Sequence, residues 1–179
     1  MHDSKLVELY ERYHRRVYAY CRRRTSHDHA EDAVADTFLI ALRRIHDIPE
    51  GDDALPWLFS VAYRVLGHQW RGAFRRSRLQ QKLGSLGVAF VNAPDDYIVV
   101  RQESQTVLEA LSNLQPRDQE ILRLSVWEEL SHDQVAKTLG INVDAAKKRL
   151  SRARARLTSE YQRMTKNSHP PLLRKGGAQ

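Results

Sequence analysis

The sequence predicts an all-α protein of two small helical domains joined by a flexible linker, the second domain carrying a helix-turn-helix. Three observations lead there. Apolar residues recur at steps of three and four through most of the chain, and no run shows the period of two that marks a strand ladder. Turn-forming residues interrupt that rhythm between Gly84 and Asp96. Further on, a capping motif, a glycine and a strongly basic helix follow one another closely.

Leu6, Leu9, Tyr10, Tyr13, Val17, Tyr20 and Cys21 mark a first amphipathic helix. A second runs from about His29 to Ile45, with Ala30, Ala33, Val34, Phe38, Ala41, Leu42 and Ile45 turned inward. "IPEGDDALP" then breaks the chain, and Pro56 suits the first turn of a third helix, where its missing N–H is not needed. Trp57, Leu58, Val61, Ala62, Val65 and Leu66 form the core face of that helix. Together these elements make a domain over residues 1–78. Residues 79–102 read as linker, punctuated by Gly84, Ser85, Gly87, Asn92, Pro94, Asp95 and Asp96, although "GVAF" and "YIVV" are too apolar for a purely solvated tether.

Helices return in a domain over residues 103–164. Val107, Leu108, Leu111 and Leu114 line one, and another begins at Pro116. Ser131 opens "SHDQ", a capping box in which Ser131 and Gln134 satisfy each other's free amides. Val135, Ala136 and Leu139 face inward over a short helix, Gly140 supplies a left-handed stop, and Asn142 caps the next helix. A short helix, a glycine turn and a basic second helix form a helix-turn-helix. Residues 165–179, with paired prolines and glycines, read as a loose tail.

Charge narrows the function. Lys and Arg total 29 against 22 acids, a net charge of +7 that favours a polyanionic partner. "DAAKKRLSRARARL" concentrates the excess, with six bases beside one acid. Its line of Ala146, Leu150, Ala153 and Leu157 is one helical face, made for packing. The remaining faces carry Lys147, Lys148, Arg149, Arg152 and Arg154, placed to meet a DNA major groove. A solvated surface helix mixes signs for i,i+4 pairing, which this one does not.

The third helix has a second cationic stripe. Arg64, His68, Arg71, Arg75 and Arg78 fall on one face, with Arg76 beside it and no acid between residues 64 and 78. Tyr63, Trp70 and Phe74 flank the stripe, and cations beside aromatic rings suit single-stranded nucleic acid. The second helix shows the opposite charge in Glu31, Asp32 and Asp36. No histidine or nucleophile joins these acids on a recognisable spacing, so they read as a protein-docking face rather than an active site. The single cysteine, Cys21, lies on the buried face of its helix and reads as an inert thiol, leaving no metal site and no cofactor to expect. No apolar run reaches the roughly 20 residues of a membrane span, and the first residues have no signal-peptide core, so a cytoplasmic location is expected.

Three segments, in order, resemble the extracytoplasmic-function group of bacterial RNA polymerase sigma factors. "AEDAVADTFLIAL" resembles the polymerase-binding segment, matching at Ala30, Glu31, Asp32, Phe38 and Ala41. "PWLFSVAYRVLGHQWRGAFRR" resembles the segment that opens and reads the minus-10 element. "LQPRDQEILRLSVWEELSHDQVAKTLGINVDAAKKRLSRARARL" resembles the minus-35-reading domain. The resemblance implies that the chain binds core RNA polymerase and promoter DNA and catalyses nothing itself. It places Asp32 and Phe38 at the largest subunit's coiled coil and Lys147 to Arg152 in the minus-35 groove. It threads the linker through the polymerase cleft and makes an inhibitory anti-sigma protein a partner. Arg64 and His68 stand where the family often has Asn and Asp, and Ala145–Ala146 where it has Thr-Val. Two rival readings are a stand-alone helix-turn-helix regulator and a metal-dependent nucleic-acid enzyme using Asp32 and Asp36.

Overall fold

The computed structural model describes residues 2–82 and 102–168, and all regular elements among them are helical. Seven α-helices follow one another: α1 (His2–Arg22), α2 (His27–Arg43), α3 (Ala54–Lys82), α4 (Gln102–Ser112), α5 (Pro116–Val126), α6 (His132–Leu139) and α7 (Val143–Ser168). Two short 3-10 turns, Ile45–Asp47 and Gly51–Asp53, bridge α2 and α3. The third helix thus continues past Arg78, where the sequence marked the start of a linker. The last helix likewise extends through Ser168, four residues into the expected tail, because 165–168 contain no proline or glycine to stop it. The remaining linker and tail positions lie outside the described residues.

Helices α1 to α3 pack on one another around Val17, Tyr20, Cys21, Ala33, Leu58, Phe59 and Leu66, all fully buried. The Tyr20 and Phe59 rings stack with centroids 4.7 Å apart, an arrangement that adds to the burial of their faces. Cys21 is likewise enclosed, and burial pushes its thiol from 9.0 to about 12. Native protein at pH 8 should therefore resist iodoacetamide, whereas the guanidinium-unfolded chain should be alkylated at this one site. The native state also holds the thiol proton through the interval from 9 to about 12 in which the unfolded chain releases it. Stability should fall as pH rises through that window, read as a declining urea midpoint; a rising midpoint would contradict the buried thiol.

Four inward expectations fail. Tyr10 and Leu42 are exposed, as are Val107 and Leu108 of α4. Each lies at the edge of its helix's apolar stripe, and the neighbouring helix covers only the centre: Tyr13 and Ala41 are buried where Tyr10 and Leu42 are not. In α4 the buried positions are Leu111, as expected, and Ala110, which was not singled out.

The helix-turn-helix forms as the sequence prescribes. Ser131 Oγ accepts from the Gln134 N–H and the Gln134 side chain accepts from the Ser131 N–H, closing the capping box. Gly140 stands at φ 65°, in the left-handed region that glycine adopts without a Cβ clash. Asn142 Oδ1 then accepts from the Ala145 N–H at 2.7 Å and starts α7. Ala146, Leu150 and Ala153 are buried, so the apolar line through the basic helix is its packing seam.

The two halves are not separate bodies. Helix α6 lies on α3, and one continuous apolar core runs from Leu9 to Ala153. The two helical halves expected from the sequence thus pack on each other, through residues whose sequence neighbours give no hint of it.

Candidate functional site

The acidic face is built on α2. Ala30, Ala33, Val34, Thr37 and Ala41 turn its inner side to the core, which leaves Glu31, Asp32 and Asp36 exposed along the outer side. Glu31 faces His27 at 3.5 Å. Phe38, read from the sequence both as an inward residue of this helix and as the aromatic anchor beside the acids, is only 7% exposed and packs edge-on against Tyr10 at 4.9 Å. Its ring lies four residues on from Val34, within the same stripe, and is needed by the α1–α2 contact. The apolar groups that do reach solvent near the acids are Leu39, 50% exposed, and Leu42. The sequence reading did not single out Leu39; its place one residue outside the α2 stripe was the available signal.

On α3 the buried Leu58, Val61, Ala62, Val65 and Leu66 hold the helix against its neighbours, and Arg64 and His68 project into solvent. Tyr63 is half-buried beside them. Trp70, Arg71, Arg75, Arg76 and Arg78 fall on the same helix, whose backbone runs on to Lys82, but their side chains lie outside the described residues.

The basic face of α7 is open. Lys147, Lys148, Arg152 and Arg154 are exposed and Arg149 is half-buried. Arg152 Nε donates to the Lys148 carbonyl at 3.3 Å, and Arg154 reaches Ser125 Oγ at 3.5 Å. Arg149 and Arg152 also border a cleft of about 490 Å³ at the start of α5, where Arg117 and Arg156 join them. Arg156 pairs with the buried carboxylate of Asp118. Four guanidinium groups around the positive end of a helix make an anion-attracting hollow beside the basic face of α7. Arg117 and Arg156 were not among the site residues expected from the sequence. The steps of three and four from Arg149 through Arg152 to Arg156 could have found the second; Arg117 comes from another helix and has no such signal.

Among the described residues no helix is long and apolar enough to cross a membrane. The geometry therefore offers one acidic, leucine-bearing face and two cationic ones. Two family models match the chain in order: "Sigma-70 region 2" over residues 9–76 and "Sigma-70, region 4" over residues 104–157. The first covers α1 to α3 as far as the cationic stripe, and the second covers α4 to the basic part of α7. The RNA polymerase sigma factor YlaC of Bacillus subtilis is 26% identical over 159 residues, 87% of this chain and 91% of that protein. BldN of Streptomyces coelicolor, an extracytoplasmic-function sigma factor, is 31% identical over 78% of this chain, which spans about half (53%) of that longer protein.

The chain belongs to the extracytoplasmic-function group of sigma-70 factors. As a sigma factor it binds core RNA polymerase and directs promoter-specific transcription initiation. A stand-alone helix-turn-helix regulator has no use for a complete region 2 ahead of its DNA-binding domain. Among solved structures, this sigma factor is similar to RpoE of Bartonella quintana, crystallised with the anti-sigma factor NepR. The two share 25% identity and a TM-score of 0.64, over 89% of this chain and 96% of that one.

Proposed function

We propose that the sigma factor divides its work among its three charged faces. The exposed acids Glu31, Asp32 and Asp36, with Leu39 and Leu42, hold core polymerase through a mixture of charge steering and apolar anchoring. The stripe Arg64, His68, Arg71, Arg75, Arg76 and Arg78, with Trp70, captures the opened minus-10 strand, its arginines tracking phosphates and its ring stacking on a base. Lys147, Lys148, Arg149, Arg152 and Arg154 enter the minus-35 major groove, while Arg117 and Arg156 hold a backbone phosphate beside it. The segment 79–102 crosses the polymerase cleft between the two readers. An anti-sigma protein, as in the RpoE–NepR complex, restrains the factor until it is needed. The chain supplies specificity in the cytoplasm, where the polymerase is, and performs no bond chemistry.

The observation that carries this reading is the segregation of charge. The outer side of α2 holds three exposed acids, whereas the exposed side of α7 holds lysines and arginines. One surface cannot serve both polymerase and phosphate, and here the two are built on different helices. Replacing Asp32 and Leu39 together with alanine should weaken binding to purified core enzyme about tenfold or more, with helical content unchanged. Both positions are exposed, so this pair separates docking from folding, which Phe38→Ala does not: emptying a buried Phe site costs about 3–5 kcal/mol. Core affinity equal to wild type in the double variant would remove α2 from the polymerase contact.

A further inference from the structure

Two hollows adjoin at the start of α5. The first, of about 490 Å³, is walled by Arg117 of α5 and by Arg149, Arg152 and Arg156 of α7. The second, of about 370 Å³, shares Gln115, Asp118 and Arg156 with it and is completed by Asn113, Ser159 and Glu160. Each has the size of a small-molecule site, which runs from about 300 to 1,000 Å³.

The first hollow carries an unbalanced charge. Its one carboxylate, Asp118, is 5% exposed and pairs with Arg156. Four guanidinium groups less that carboxylate leave three positive charges on the wall. Arg152 donates its Nε to the Lys148 carbonyl at 3.3 Å, and its outer nitrogens remain. Arg117 and Arg149 have no hydrogen-bond or ion-pair partner among the described residues, although Arg149 is half-buried. The helix end itself adds little. Pro116 has no N–H, and the amides of Asp118 and Gln119 already bond to the Gln115 carbonyl at 2.8 and 3.0 Å. The arginines therefore define what the hollow takes.

A backbone phosphodiester of DNA brings a single negative charge, which leaves most of this wall unanswered. A chain of two or three phosphoryl groups brings roughly three to four near neutral pH and matches it. Arginine forks also suit phosphate oxygens, which accept two parallel bonds from each. The second hollow has a different character. Asn113 Nδ2 donates to Glu160 Oε1 at 3.0 Å, and the Gln115 amide and Ser159 hydroxyl stand exposed nearby. Neutral and acidic hydrogen-bonding groups accept hydroxyls and amines and repel phosphate, so a ligand spanning both hollows has one orientation.

We propose that the first hollow is a regulatory site for a small polyphosphate, held by Arg117, Arg149, Arg152 and Arg156. The phosphoryl chain is the recognised chemistry, whether free or carried by a nucleoside seated in the second hollow. Occupancy has a consequence for DNA. Arg149 and Arg152 also belong to the minus-35 contact, so a ligand that gathers them lowers promoter affinity, and promoter lowers ligand affinity by the same factor. That competition rests on the minus-35 reading above; binding to the hollow does not.

Titration calorimetry of the full chain tests the site, with inorganic tripolyphosphate and then ATP as probes. Magnesium is left out because it chelates both. One-to-one binding is expected, together with a higher melting temperature. Arg117→Ala with Arg149→Ala should weaken it about tenfold or more, as expected for two lost charge-assisted contacts. Arg15→Ala with Lys166→Ala removes the same charge from exposed positions elsewhere. At about 0.15 M salt, where screening acts within about 8 Å, that variant should stay within about twofold of wild type. Tighter binding of ATP than of tripolyphosphate would seat a nucleoside in the second hollow, and equal binding would assign the site to the phosphoryl chain alone. No saturable binding of either probe, or equal losses in the two variants, would overturn the site. A second arm measures promoter affinity of the holoenzyme with and without tripolyphosphate. Affinity should fall about fivefold or more at saturation, and the Arg117→Ala holoenzyme should need about tenfold more probe for the same effect. Equal inhibition of both holoenzymes would place the effect on core enzyme and overturn the regulation. Saturable binding that leaves promoter affinity unchanged would instead overturn the minus-35 role of Arg149 and Arg152.

Discussion

Arg71→Ala combined with Arg75→Ala should slow formation of the open promoter complex by roughly 100-fold or more, while leaving core binding and minus-35 binding near wild type. A hydrogen bond to a charged partner is worth about 1.5–3 kcal/mol, so losing two phosphate contacts removes about 3–6 kcal/mol. Each 1.4 kcal/mol or so is a factor of ten. Opening duplex costs a few kcal/mol per unstacked step, which a neutral solvated helix cannot offset. The apolar face of α3 is already committed, since Val61, Val65 and Leu66 are buried, while Arg64 and His68 of the stripe stand in solvent. Permanganate reactivity of minus-10 thymines reads the defect. A promoter already mismatched across that region should recover part of the loss. Full reactivity of the double variant on intact duplex would mean that the stripe is only a solvated face.

Lys148→Ala with Arg149→Ala should weaken holoenzyme binding at a promoter by about 30-fold or more, taking about 1–3 kcal/mol for each base-reading contact. The salt dependence should become shallower as well, because each neutralised phosphate adds about one unit to the slope of log K against log salt. Arg117→Ala makes the useful contrast. Its side chain enters the α5 cleft rather than the open side of α7, so its loss should flatten the salt slope without altering which minus-35 sequence is preferred. An unchanged sequence preference and salt slope in the Lys148/Arg149 variant would show that another element reads the DNA.

The sequence made the local chemistry legible and the distant pairings illegible. The capping box at Ser131, the left-handed Gly140, the Asn142 cap and the seam of Ala146, Leu150 and Ala153 all follow from spacings of a few residues. Such short-range geometry is dictated by helix periodicity, so it can be read without a fold. Stripe edges are different. Whether Tyr10, Phe38 or Leu42 is covered depends on the crossing of α1 and α2, and this decided which apolar residue accompanies the acids in solvent. The buried pair of Arg24 with Glu120 is furthest from view. Arg24 sits in a run of three arginines that reads as a solvated end of helix, and its partner Glu120 is 96 residues away. Only the packing of the two halves turns these surface-looking charges into a buried pair.

Run-off transcription shows whether the chain works by giving core polymerase a promoter. Purified core enzyme is mixed with duplex promoter templates in the presence or absence of the chain. Discrete transcripts are expected only when chain and core are both present, with the chain alone holding duplex DNA weakly. Tight, sequence-specific duplex binding by the chain alone, with no transcript on adding core, would contradict it.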